Sequence, residues 1–341
     1  KIRKYESIVN RLTADEFVGK YVGHKKKIYY NAALSLRKKP IEFKDSKIKA
    51  FVKDEKFDYE TKEYQVPRII QPRTPRFNLE LGRFLAPMEK TIYDEIDSLY
   101  GFPVVMKGLN AEERGQIISQ HWADIPDAVG IMIDASRYDQ HIRKEALKYE
   151  HGVYLRHTPR RNRGYLRSLL KMQRKTRGTC YTEEGNITYE IEGGRCSGDV
   201  NTSMGNIILM THLVYDFMFS LGIRYRFVND GDDGVLIISR KDLDKLDNLQ
   251  DWFENYGFKM TVESTVDQLE HVDFCQCRPV FDGDRWIMCR NPETVLNRDA
   301  YTTKPIGTIG QWNFYRGAIG NCGVAGMGGL PVVSEFYRAM A

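Results

Sequence analysis

Apolar and polar positions follow two rhythms along this chain. Ala128-Val-Gly-Ile-Met-Ile133 is a continuous apolar run of strand length that stops at Asp134. Tyr225 to Ile238 holds two more apolar runs, divided by Gly231-Asp232-Asp233, the pattern of a β-hairpin. Cys180-Tyr-Thr and Ile187 to Ile191 flank Glu-Glu-Gly-Asn and predict a second hairpin. Phe258 to Val262 is strand-like, and His271 to Cys277 with Arg285 to Cys289 predict a third hairpin. Helical spacing covers Leu79 to Leu99, Lys144 to Leu155 and Asn201 to Leu221. From Asp242 to Tyr256, Leu243, Leu246, Leu249 and Phe253 form one stripe, with Gly257 as the stop. The first 50 residues read as helical pieces joined by basic loops. Val66 to Pro75 contains three prolines and is extended. The Gly-rich tail from Ile306 has no clear period, and there is no internal repeat. Helices interspersed with hairpins predict an α+β fold.

Bulk composition adds limits. With 341 residues, 42% hydrophobic and 28% charged, the chain can bury a large core in more than one subdomain. The net charge of +5 is only mildly basic, but its distribution is uneven. Arg156 to Arg177 carries nine Lys or Arg and no acid, and Lys25-Lys26-Lys27 and Arg68, Arg73, Arg76 are further clusters. Such patches attract phosphates, although for a single patch a solvated face is the better explanation. Six cysteines complete no zinc pattern and read as free thiols. The chain opens Lys1-Ile-Arg-Lys with no secretory signal and is expected to come from a longer product. Gly205 to Ile223 is apolar but holds Asn206, Thr211, His212 and Asp216, so a buried helix fits it better than a membrane span.

The chemistry lies where apolar runs end in carboxylates. Asp232 and Asp233 are adjacent at a hairpin tip. At about 4 Å and an effective dielectric of about 20 they repel by roughly 4 kcal/mol. A divalent cation relieves that repulsion, and carboxylate oxygens suit Mg²⁺ or Mn²⁺. A solvated Asp-Gly turn is the plain alternative. Asp134 ends a buried strand, and a neighbouring strand would let it face Asp232 across two metals. Taken alone, an Asp capping the next helix explains it better. Asp139 lies further along the same loop. Thr202 and Asn206 are spaced i and i+4 on one helix face, behind Ser197 on a loop whose Gly198 permits unusual backbone angles. Short polar groups of this kind can bind a ribose 2′-OH, whereas a Gly-Ser loop with a helix cap is the plain reading. Lys53, Lys56, Arg68 and Arg73 could hold phosphates, the arginines by bidentate forks from a proline-stiffened segment, or simply be solvated. Lys259 could protonate a leaving pyrophosphate, or be a surface lysine.

In order and spacing these segments resemble the viral RNA-dependent RNA polymerases. Asp134-x4-Asp139 resembles their motif A, Ser197-Gly-Asp-x-Asn-Thr-x3-Asn206 motif B, and Gly231-Asp-Asp233 motif C. Phe258-Lys259 is similar to motif D, Phe274-Cys-Gln276 to motif E, and Lys53 to Arg76 to motif F. Asp-Ala-Ser-Arg-Tyr-Asp-Gln-His and Ile-Gln-Pro-Arg are closest to the tombusvirus-like branch of positive-strand RNA viruses. The resemblance implies a right hand: residues 1–125 as fingers with a basic segment at 51–76, 126–145 as palm, 146–192 as a fingers insertion, 193–277 as palm, and 278–341 as an abbreviated or cut thumb. The palm would be an antiparallel sheet flanked by helices. It implies Asp134, Asp232 and Asp233 as ligands of two Mg²⁺ (or Mn²⁺) ions. Asp139, Ser197, Thr202 and Asn206 would read the ribose, Lys53, Lys56, Arg68 and Arg73 would hold the triphosphate, and Lys259 would donate the proton. The implied partners are RNA template, nascent RNA, NTPs and other viral replication proteins. The implied location is the host cytoplasm, at virus-modified membranes reached through regions outside this chain. Two rivals are a reverse transcriptase and a non-catalytic RNA-binding scaffold. The first would lack the Ser-Gly-Asp-x-Asn-Thr pattern and carry a large aromatic residue near the end of its first aspartate motif. The second has no need of three carboxylate-bearing segments.

Overall fold

The computed structural model describes residues 7–56 and 66–341. Residues 57–65 of the expected basic segment lie outside them, as does the chain start at 1–6. Helices α1 (Ala14–Gly19) and α2 (Gly23–Lys38) lead to strand β1 (Ile48–Val52) and the short β2 (Ile69–Ile70). Helices α3 (Pro75–Leu85), α4 (Glu89–Tyr100) and α5 (Ala111–Ala123) follow. The expected single helix from Leu79 to Leu99 is therefore two. Pro87 sits in the break, where it has no backbone N–H to carry the helical ladder on, while Ala86 before it still keeps helical backbone (φ −59°, ψ −37°). The start of α3 is set by Pro75 at its first position and by Thr74, whose Oγ1 accepts the Phe77 N–H at 3.3 Å.

Strand β3 (Ala128–Ala135) runs into the single turn α6 (Tyr138–His141), then α7 (Lys144–His157) and α8 (Arg160–Gln173). The hairpin β4 (Lys175–Thr182) and β5 (Gly185–Glu192) appears as the turn residues require. Helix α9 (Thr202–Leu221) precedes β6 (Tyr225–Asp230) and β7 (Asp233–Ser239). The amphipathic stretch 242–256 is a 3-10 turn (Arg240–Leu246) followed by α10 (Leu249–Asn255), and the chain then turns at Gly257 into β8 (Met260–Val266). The third hairpin uses β9 (Cys277–Phe281) and β10 (Trp286–Arg290), so its first strand starts where the expected His271–Cys277 strand ends. Tight backbone at Cys275 and Gln276, both with positive φ, separates the two stretches. The Gly-rich tail folds as α11 (Pro292–Arg298), α12 (Ile309–Met327) and α13 (Val333–Met340). Its glycines let helices approach: a Cβ on Gly320 would strike the Ala341 backbone, and one on Gly323 the Tyr337 ring.

Four antiparallel strands in the order β6-β7-β3-β8 form the central sheet. A second sheet, β2-β1-β4-β5, contains one parallel pair, β1 with β4, so the fold is α+β with one antiparallel and one mixed four-stranded sheet. The central strands alternate between two cores. Ile131, Ile133, Leu236 and Ile238 face the larger one with α9, whereas Met132, Val235 and Ile237 face a smaller one with α5. Burial on both faces explains why these strands read as unbroken apolar runs. Among the described residues α9 is the one helix long and apolar enough to cross a membrane, and 61% of that window is buried inside the protein. It packs as a core helix through Ile207, Ile208, Val214 and Phe217.

Beside this core, His151 on α7 is buried at 4% exposure. Burial holds its pKa down to about 4; Glu150 and Gln173 act the other way, and Arg195 and Arg174 reinforce the lowering. The unfolded chain takes up this proton near pH 6.5 and the native state only near 4, so stability is lost as pH falls through that window. The expected loss between pH 7 and 4.5 is roughly 2–3 kcal/mol from this group. Urea unfolding of wild type and His151→Gln at both pH values measures it. Equal pH dependence in the two proteins contradicts the expectation.

Candidate active site

Antiparallel register fixes which carboxylates meet. Asp134 at the end of β3 pairs directly with Asp233 at the start of β7, and Asp233 pairs with Asp230 across the hairpin. Directly opposed residues project to the same face with Cβ atoms about 5 Å apart. The strand-end partner of Asp134 is thus Asp233, while Asp232 stands exposed at the tip of the two-residue turn Gly231-Asp232. Gly231 has φ +94° and Asp232 is not in the positive-φ region, as in a type II′ turn with Gly first. Asn229 locks the turn: its Nδ2 donates to the carbonyls of Gly231 (3.1 Å) and Asp233 (2.8 Å), and its Oδ1 accepts the Gly231 N–H at 3.3 Å. Asp230, one glycine from the pair, is held by Arg114 at 2.8 Å, with Lys107 at 3.9 Å.

Burial, then the negative charge of Asp232, Asp134 and Asp230, pushes Asp233 up to about 6 against a lowering hydrogen bond from Cys275. Among the described residues no group of three or more His, Cys, Asp or Glu side chains is arranged to hold a metal ion. The donor chemistry nevertheless suits one, since three carboxylates share one sheet end and penalise each other's charge.

Of the four predicted sugar-reading residues, Asp139 and Asn206 meet beside this end, whereas Thr202 and Ser197 bond within and beside their own loop. Asn206 Nδ2 donates to Asp139 Oδ1 at 3.0 Å. Burial raises the Asp139 pKa, whereas Asn206 and Arg195 lower it and the charges of Asp232 and Asp199 raise it further. Thr202 Oγ1 donates to the carbonyls of Cys196 and Asp199, both at 3.0 Å, which leaves its lone pairs as acceptors. Ser197 is exposed, with Oγ 3.5 Å from the Ile69 carbonyl. Gly198 does not have positive φ; its requirement is space, because a Cβ there would lie 2.5 Å from Pro72 Cα.

The cations divide. Lys53 and Arg68 flank Glu55, with Lys53 Nζ at 3.1 Å and the Arg68 guanidinium in direct contact. The Glu55 hydrogen bond, and after it the charges of Glu55 and Asp232, hold the Arg68 pKa up against burial. Lys56 Nζ donates to the Arg298 carbonyl at 2.5 Å, and Asp54 accepts from Thr303 at 3.0 Å, so this segment touches the region after β10. Arg73 belongs elsewhere. Its side chain has no exposed surface, and it donates to Asp199 (2.7 Å), the Ser46 carbonyl (2.6 Å) and Thr176 (3.0 Å). Lys259 is exposed one residue before β8, and its carbonyl accepts the Ser136 N–H at 3.0 Å beside Asp134. Sequence reasoning passed over Asn229, Arg114 and the buried Glu150–Arg195 pair; an Asn two residues before a turn glycine is the one recognisable signal among them.

Over residues 2–341 the chain matches the family described as viral RNA dependent RNA polymerase. It belongs to the viral RNA-dependent RNA polymerase family. It is 43% identical over 333 residues to the RNA-directed RNA polymerase of Maize chlorotic mottle virus, covering 96% of this chain and 34% of that protein. Identity to the RNA-directed RNA polymerase of Tobacco necrosis virus (strain A) is 41% over 330 residues, covering 96% and 45%. For that of Turnip crinkle virus it is 38% over 325 residues, covering 94% and 41%. These polymerases bear out the tombusvirus-like resemblance, and the chain spans less than half the length of each.

Proposed function

We propose that this chain carries out template-directed RNA synthesis, in which a 3′-OH attacks the α-phosphate of a bound ribonucleotide and pyrophosphate leaves. The observation that carries the reading is the pairing of Asp134 with Asp233 beside Asp232, at the sheet end where Asn206 meets Asp139. Asp134, Asp232 and Asp233 would hold two Mg²⁺ or Mn²⁺ ions, which supply activation of the attacking hydroxyl and charge neutralisation on the triphosphate. Lys53, Lys56 and Arg68 would hold the triphosphate, and Lys53 and Arg68 already gather around a carboxylate, Glu55. Arg73, with its guanidinium buried, positions the Ser197 loop instead. Asp139, Ser197, Thr202 and Asn206 read the ribose, and Lys259 donates a proton to the leaving group.

In this reading the central antiparallel sheet, with α9 against it, is the palm. Residues 1–125 and 146–192 form the fingers, and 278–341 the thumb. RNA template and product occupy the cleft, other replication proteins join the whole polymerase, and it works in the host cytoplasm at membranes reached through other regions. Neither a reverse transcriptase nor a scaffold is favoured by the family match. The test is incorporation of labelled NTPs and dNTPs on a short RNA template with Mg²⁺ or Mn²⁺, in the full-length protein and in Asp139→Ala. Ribonucleotide products are expected, with NTP-over-dNTP preference lowered about tenfold or more in the variant and RNA affinity kept. Products from dNTPs alone, or none from either, would refute the reading; an unchanged preference would remove Asp139 from the ribose site.

A further inference from the structure

We propose that the buried ion pair Glu150–Arg195 is the positioning device that sets the sugar-reading pair Asp139–Asn206, and thereby the discrimination of ribo- from deoxyribonucleotides. The inference rests on the ribose reading above. Glu150 on α7 is 0% exposed, and Arg195, between β5 and α9, is 3% exposed. Two guanidinium nitrogens of Arg195 grip the Glu150 carboxylate, Nη1 at 3.1 Å and Nη2 at 2.5 Å. The third, Nε, donates to Asn206 Oδ1 at 3.0 Å. Arg195 holds Asp139 as well, since its backbone N–H donates to the Asp139 carbonyl at 2.9 Å.

The chemistry of these contacts fixes the Asn206 amide. Arginine is a donor only, so it must face the amide oxygen. The amide nitrogen is then turned to Asp139 Oδ1 at 3.0 Å. Glu150 in turn is oriented by Tyr154 Oη at 2.6 Å and Asn201 Nδ2 at 2.7 Å. Gly205 clears the space, because a Cβ there would strike both Arg195 Nη2 and a Glu150 oxygen. Buried ion pairs are poor stabilisers, and an apolar pair of similar volume often does as well. What an apolar pair cannot supply is the donor that orients Asn206.

That contrast defines the experiment. In the full-length protein, the double variant Glu150→Leu/Arg195→Met replaces the pair with apolar groups. It is expected to fold and to retain RNA-templated ribonucleotide incorporation. Its ratio of kcat/KM for NTP over the matching dNTP is expected to fall about tenfold, with RNA affinity unchanged. Arg195→Lys, which keeps the charge beside Glu150 but loses the Nε fork, is expected to fall similarly and serves if the double variant does not fold. Asn206→Ala is measured alongside. If Asn206→Ala lowers the ratio while a folded Arg195 variant stays within about twofold of wild type, the positioning role is overturned. If Asn206→Ala also leaves the ratio unchanged, the ribose reading itself fails, and this inference with it.

Discussion

Asp232→Asn is expected to lower RNA-templated nucleotide incorporation by about 10³-fold or more, equivalent to ~4 kcal/mol of transition-state stabilisation, while the melting temperature does not fall below the wild-type value. The two halves of this expectation have separate causes. Asp232 is exposed at the second turn position, between Gly231 and a strand that opens on half-buried Asp233 and is buried from Gly234 to Ile238, so the isosteric amide fits without repacking. The turn is held by Asn229 and by Gly231, neither of which depends on the Asp232 charge. The lost negative charge therefore removes a catalytic group and no turn contact, and its loss relieves repulsion on Asp233 rather than weakening the fold. Asp230→Asn is the contrast: it weakens a half-buried pair with Arg114, so its cost falls on stability. Incorporation close to wild type in Asp232→Asn, measured with labelled NTPs on an RNA template, refutes the catalytic assignment of the hairpin.

The central sheet was legible because its apolar runs are buried on both faces and end abruptly in acids. Local pattern suffices for that, since the strand end and the carboxylate are the same feature. Register was not legible. Sequence reasoning set Asp134 against Asp232, whereas the ladder sets it against Asp233, because a two-residue turn leaves Asp232 outside the pairing. Gly198 marks a similar limit. A glycine in a polar loop suggests unusual dihedral angles, but here it admits Pro72, which lies 126 positions away in the chain. Only the tertiary approach of the 66–75 segment creates that demand. The helix from Leu79 to Leu99 could have been divided from sequence at Pro87. The Gly-rich tail could not be read, since its glycines serve the packing of α12 on α13 rather than any period.

Arg73→Met is expected to destabilise the protein by about 3–5 kcal/mol, a drop of roughly 4–7 °C in melting temperature for a chain of this length. The basic cluster around Arg68 and Arg73 looked from sequence like one phosphate-binding group. The structure separates it by burial: Arg68 is exposed beside Glu55, whereas Arg73 lies between β1, β4 and the Ser197 loop. Removing the guanidinium leaves the Asp199 carboxylate, 4% exposed, without its closest cation, and leaves the Ser46 carbonyl and Thr176 hydroxyl without that donor. An uncompensated buried charge is the costly case, because the desolvation of Asp199 remains while its attraction to Arg73 is gone. Gln173, which donates to Asp199 at 3.0 Å, offsets only part of this. The sign of the test separates structure from binding. Thermal unfolding without nucleotide should already register the full loss in Arg73→Met. A wild-type midpoint together with a raised KM for NTP would return Arg73 to the triphosphate and overturn its structural role.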